Sequence, residues 1–129
     1  MTGDFPVSNA GIAGAFDLIA RAVQQFDATD TIAHRLSVVL DELCSNMIRH
    51  DDTLSEATNF ALDMAIEGGT VHMAVSDPGL PFNPLVFRHA ETPEIGGHGI
   101  SLVKGLSSAV AYSREDDRNV LRVSVEIEE

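Results

Sequence analysis

Leu40-Asp41-Glu42-Leu43-Cys44-Ser45-Asn46 lies in the middle of a helical pattern that decides the architecture of this chain. Leu36, Val39, Leu40, Leu43, Cys44, Met47 and Ile48 recur at three- and four-residue steps, the spacing of one buried helix face. Glu42 and Asn46 are four apart and therefore stacked on one side of that helix. By helical angle they sit at the border of the apolar stripe. A carboxylate and a carboxamide at that border can face a cleft while the helix stays anchored in the core. Taken alone, such a pair marks no more than a polar shoulder on an amphipathic helix.

Working outward, the N-terminal side predicts a first helix. Ser8 or Asn9 is suited to cap it. Ile12, Phe16, Ile19, Val23 and Phe26 follow helical spacing through about Gln25. Phe5 and Val7, ahead of it, suit a brief edge strand. Phe26 to Thr31 is a connector, with Asp30 or Thr31 as the next cap and the central helix running from about Ile32 to His50. The two helices are expected to pack through their apolar faces.

On the C-terminal side, Asp51 to Glu56 reads as a polar loop, after which the period changes to two. Phe60, Leu62, Met64 and Ile66 alternate with Ala61, Asp63, Ala65 and Glu67. Gly68-Gly69 is a hairpin signal. Val71, Met73 and Val75 then form the inward side of a second strand that ends on Asp77. An inward carboxylate there is costly unless it is hydrogen-bonded. Asp77-Pro78-Gly79-Leu80-Pro81-Phe82-Asn83-Pro84 breaks the strand. Leu85 to Glu94 reads as loop with one helical turn. Ile95-Gly96-Gly97-His98-Gly99 leads into a short helix over about 100–106. Ala109 to Ser113 is a strand, Arg114 to Asn119 a polar turn, and Leu121, Val123, Val125 and Ile127 alternate in a last strand. Helices grouped against strands joined by short turns make an α+β two-layer sandwich on a mostly antiparallel or mixed sheet.

The 129 residues suffice for one domain, 1–129, and are too few for two. With 20 acidic residues against 8 Lys plus Arg, the net charge of −12 repels nucleic acid phosphates and anionic lipid, which argues against direct DNA binding. No run approaches the roughly 18 apolar residues of a membrane span, and the N-terminus has no signal-peptide pattern. A lone Cys44 cannot form an internal disulfide, which points to a reducing, cytoplasmic setting, and its place on the apolar helix face makes it a buried inert thiol. His34, His50, His72, His89 and His98 show no metal-ligand spacing.

Two further motifs bear on chemistry. Gly96, Gly97 and Gly99 lead into a helix start, where free amides and the helix dipole favour phosphate. Walker and dinucleotide patterns are not met: there is no Gly-Lys-Ser/Thr, and Gly97-x-Gly99-x-x-Leu102 lacks the third glycine and follows a loop. Asp77, at a strand end beside Gly79, can accept from an exocyclic amine such as that of adenine. Read without context, it is a turn-forming Asp before Pro-Gly.

The order Glu42-x-x-x-Asn46, Asp77-x-Gly79, Gly96-Gly97-x-Gly99 resembles the N, first-glycine and second-glycine boxes of the ATPase superfamily of gyrase, heat-shock chaperone, histidine kinase and mismatch-repair proteins. Within it, Asp77 to Pro84, the compact lid and Gly96-Gly97-His98-Gly99-Ile100-Ser101-Leu102-Val103 look like the branch of anti-sigma-factor serine-protein kinases. The resemblance runs from about Ser8 to Glu129. It implies a Bergerat-type ATP-binding fold and a regulatory serine/threonine-protein kinase that uses Mg-ATP to phosphorylate an antagonist protein in a partner switch. By the resemblance, Glu42 is the general base and Asn46 coordinates the Mg²⁺ that bridges the phosphates. Asp77 accepts from the adenine amine, Gly79 lets the base lie close, and Gly96, Gly97 and Gly99 close over the phosphates. Arg49 and His50 stand one turn beyond the pair, where they can contribute near the phosphates. The implied partners are an anti-anti-sigma-like antagonist and a sigma factor, and a homodimer is allowed. The short lead-in predicts that the first strand of many relatives is trimmed or absent. Two other readings stay open: a module that binds ATP or a partner without phosphotransfer, and a detached ATPase domain of a histidine-kinase-like system.

Overall fold

The computed structural model describes residues 1–50, 58–81, 83 and 106–127, with Asn46, Ile48, Arg49 and His50 described as helix positions only. The order is β1 (Thr2–Pro6), α1 (Asn9–Gln25), α2 (Asp30–His50), β2 (Asn59–Glu67), β3 (Thr70–Asp77), β4 (Ala109–Glu115) and β5 (Arg118–Glu126). Every neighbouring pair in the sheet is antiparallel, and the strand order is β1-β2-β3-β5-β4. The fold is therefore the expected α+β sandwich, with the antiparallel alternative realised. The expected loops over 51–56 and 85–94, the Gly96–Gly99 lid and the short helix up to residue 105 lie outside the described residues.

The brief edge strand expected near Phe5 is present, so the first strand is not absent; it starts earlier than expected and ends at Pro6, without Val7. Thr2–Pro6 pairs in full with β2, Phe5 opposite Phe60, and the two rings lie 5.8 Å apart in a tilted contact that seals this edge. Ser8 caps α1, its Oγ accepting from the Gly11 N–H at 3.1 Å. The cap of α2 is one residue earlier than the two candidates. Thr29 Oγ1 accepts from the Ile32 N–H at 3.3 Å, so Asp30 falls in the first turn, where its charge complements the helix dipole.

The core lies between the inner sheet face and one face of each helix. Phe60, Leu62, Met64, Val71, Met73, Val75, Leu121, Val123 and Val125 supply the sheet side, and Leu36, Val39, Leu40, Leu43, Cys44 and Met47 the α2 side. On α1 the buried stripe is Ala15, Leu18, Ile19, Ala22 and Val23, whereas Ile12, Phe16 and Phe26 are only partly buried. The small Ala15 and Ala22 let α1 approach closely, which turns the larger side chains to its flanks. Ile66, expected inward, is 39% exposed, near the end of β2 that lies beyond its paired stretch with β1.

Both hairpins turn on two residues. Gly68 and Gly69 have φ of +58° and +81°, the left-handed pair that matches strand twist. The second turn is shorter than the polar stretch 114–119 suggests. Glu115 pairs with Arg118, and only Asp116 and Asp117 turn, with φ of +51° and +63°. Aspartate tolerates this region at a cost that glycine avoids. Asp117→Gly is expected to stabilise the domain by roughly 0.5 kcal/mol after the entropy of an added glycine is counted. The check is a higher urea midpoint with an unchanged slope.

Candidate functional site

The inner sheet face ends in polar residues at one end of β3, β5 and β4. Alternation from Val71, Met73 and Val75 brings Asp77 inward, and the same rule brings Asn119 inward ahead of Leu121. Asp77 and Asn119 are register partners. The Asp77 carboxyl is half-buried and meets the requirement for hydrogen bonding that its position imposes. Its Oδ1 accepts from the Gly79 N–H at 2.9 Å and from the Asn119 amide at 3.2 Å. Among the described residues no donor reaches Oδ2, which is left as an acceptor.

Gly79 and Asp77 are thus brought together in an Asx turn, and Gly79 is buried in it. The loop is tied down from the far hairpin. Asn119 also donates to the Leu80 carbonyl at 2.8 Å, and Arg114 Nη1 donates to the Gly79 carbonyl at 2.8 Å. Arg118 holds the strand end before it, through Ser76 Oγ at 3.3 Å and the Ser76 carbonyl at 3.2 Å. Tyr112 completes the cluster by donating its hydroxyl to Asn119 Oδ1 at 2.6 Å. Sequence reasoning missed Tyr112, Arg114, Arg118 and Asn119. The one available signal is that Asn119 falls on the inward alternation of the last strand, where a polar residue needs partners.

Glu42 is half-buried on α2, between exposed Asp41 and buried Leu43 and Cys44. It occupies the shoulder that the helical spacing implies, and no described residue hydrogen-bonds its carboxylate. Asn46 is placed one turn further along the same helix, and its side chain lies outside the described set. Glu42 and Asp77 stand on different layers, with α2 packed against β5 and no described contact joining the two residues. Gly96, Gly97 and Gly99 lie outside the described residues, as do His89, His98 and Lys104. Burial, with the Asp41 carboxylate adding to it, pushes the Cys44 thiol up to about 12, which keeps it protonated and unreactive.

Among the described residues no cluster of His, Cys, Asp and Glu could hold a metal, and no helix is long and apolar enough to cross a membrane. At Asp77 one carboxylate oxygen takes two donors, the other meets none among the described residues, and the adjacent glycine carries no side chain, so the chemistry on offer there is that of a hydrogen-bond acceptor.

The structure of the SiaB–SiaC complex from Pseudomonas aeruginosa contains a chain similar to this one, with a TM-score of 0.69 at 17% identity, covering 97% of this chain and 88% of that one. The RsbU and RsbW domains of Rv1364c from Mycobacterium tuberculosis give a TM-score of 0.68 at 12% identity, covering 98% of this chain but only 31% of the longer protein. The catalytic domain of histidine kinase ThkA gives 0.56 at 14% identity, with 98% and 97% covered. At these identities the likeness is one of fold. No curated protein matches the chain in sequence. The family model described as the histidine kinase-like ATPase domain matches residues 5–125, so this chain belongs to that family of kinase-type, ATP-using domains.

Proposed function

We propose that this chain binds Mg-ATP and acts as a regulatory serine/threonine-protein kinase of the anti-sigma-factor type, phosphorylating an antagonist protein in a partner switch. The observation that carries the nucleotide part is the Asp77 carboxylate, pinned through Oδ1 by Gly79 and Asn119 with Oδ2 left to accept from an amine. The likeness in fold to a chain of the SiaB–SiaC complex and to the RsbU and RsbW domains of Rv1364c supports the partner-switching part.

In this reading Asp77 and Gly79 bind the base. Asn46 holds the metal, Gly96, Gly97 and Gly99 cover the phosphates, and Glu42 accepts the proton of the attacking hydroxyl. Bound Mg²⁺ supplies neutralisation of phosphate charge. The protein's own contribution is to position the two reactants and to hold a carboxylate where the hydroxyl arrives. The partners are an anti-anti-sigma-like antagonist and a sigma factor, the setting is the cytoplasm, and a homodimer is compatible with the arrangement.

Calorimetry with Mg-ATP tests the nucleotide site. Asp77→Asn is expected to weaken binding by about 1–3 kcal/mol, because the amide offers a donor where the adenine amine needs an acceptor. ADP should compete with ATP and GTP poorly, since a carboxylate has nothing to donate to the guanine carbonyl. Equal competition by GTP removes Asp77 from this role, and no binding of Mg-ATP to the wild type overturns the reading.

A further inference from the structure

We propose that Asn119, oriented by Tyr112, is the positioning residue that makes the Asp77 site select an amine-bearing base. This inference rests on the nucleotide-site reading and adds to it residues from the last two strands.

The two N–H groups of the Asn119 amide reach two different acceptors, Asp77 Oδ1 at 3.2 Å and the Leu80 carbonyl at 2.8 Å. Its oxygen receives the Tyr112 hydroxyl at 2.6 Å. An inverted amide would place its oxygen against both acceptors, whereas the Tyr112 hydroxyl can serve either orientation. The two acceptors therefore fix one orientation, to which the Tyr112 hydroxyl adds a third contact, and the side chain is only 8% exposed, so water does not compete on equal terms. Gly79 donates to the same Oδ1 that Asn119 does. Two donors on one oxygen fix the rotation of the carboxylate and, among the described residues, leave Oδ2 as the oxygen available to a ligand. Selectivity follows from the sign of that group. An acceptor held rigidly beside a buried glycine rewards an exocyclic amine and leaves a carbonyl unpaired. The register makes this possible, because Asp77 faces Asn119 directly and β4 brings Tyr112 alongside.

Asn119→Asp tests the orientation with almost no change in shape. It replaces the donor with an acceptor opposite Asp77 Oδ1. Two adjacent carboxylates do not both ionise readily, and a proton shared between them lets Asp77 act as a donor. Tyr112→Phe keeps the ring and removes only the hydroxyl, so it serves if the first variant does not fold. Titration with Mg-ATP and with Mg-GTP, alongside melting of the ligand-free proteins, gives the readouts. Asn119→Asp should weaken ATP by about 10-fold and bring the ratio of ATP to GTP affinity toward one. Tyr112→Phe should weaken ATP by roughly 2–10-fold, again with a lower ratio. Variants that melt earlier but keep the wild-type ratio show a structural role alone and overturn the proposal. A wild type that binds neither nucleotide overturns the nucleotide site itself, and a wild type that prefers ATP with an unmoved ratio in both variants overturns only the role of Asn119 and Tyr112.

Discussion

Glu42→Gln is expected to bind Mg-ATP as tightly as the wild type and to phosphorylate its partner about 10²–10⁴-fold more slowly, the usual contribution of a general base. Glutamine keeps the size of the side chain and its place on the shoulder of α2. The flanking Leu43 and Cys44 are buried and hold the helix in the core regardless of the change. The substitution removes only the basic oxygen. Transfer of label from ATP to the partner co-purified from the native cell gives the rate, and calorimetry gives the affinity. Asn46→Ala provides the contrast: with Asn46 as the proposed metal holder, its loss is expected to weaken Mg-dependent binding and activity together. Glu42→Gln working at the wild-type rate means that Glu42 is not the base. A wild type that binds ATP and its partner without ever transferring phosphate acts by sequestration.

Gly11→Ala carries the largest expected loss of stability. In most helices this exchange is favourable by up to about 1 kcal/mol, because alanine is the better helix former. Here the added Cβ would lie 1.8 Å from the Pro6 carbonyl oxygen and 2.8 Å from its carbon. Neither side can yield cheaply. The Pro6 carbonyl accepts from the Ser8 N–H at 2.8 Å, and Val7 is tied to the Thr58 carbonyl at 2.8 Å. The Gly11 N–H is the one that Ser8 caps. Steric cost therefore outweighs propensity. A net loss of about 3 kcal/mol is expected, which for a domain of this size lowers the melting temperature by roughly 10 °C. A variant that melts with or above the wild type would mean that β1 and α1 do not meet this closely in solution.

Much of the architecture was legible in the chain because its signals are local. The step of three and four from Leu36 to Met47 specifies a helix and its buried face whatever lies opposite. Alternation over Phe60 to Met64 and Val71 to Val75, joined at Gly68-Gly69, specifies a hairpin and its inward side. The same alternation carries Asp77 inward, and the proline and glycine after it end the strand. Boundaries came out within about three residues, closest at helix caps such as Thr29, where several neighbouring residues can serve.

What the chain alone did not reveal depends on which elements become neighbours. Periodicity states that a strand has an apolar face, but not which strand lies beside it. The sheet order places β5, the last strand, between β3 and β4. That choice brings Asn119 against Asp77 across 42 residues of sequence, Arg114 against the Gly79 carbonyl across 35, and Tyr112 against Asn119 from the neighbouring strand. Tertiary packing likewise sets the need for glycine at Gly11, where the Pro6 carbonyl approaches, and the presence of Ala15 and Ala22 among the buried residues of α1. Residue pattern determined what each element buries and where the candidate ligand groups fall along the chain. Tertiary packing alone decided which polar groups meet, because a hydrogen bond needs a partner within about 3 Å and no local repeat encodes one so far away.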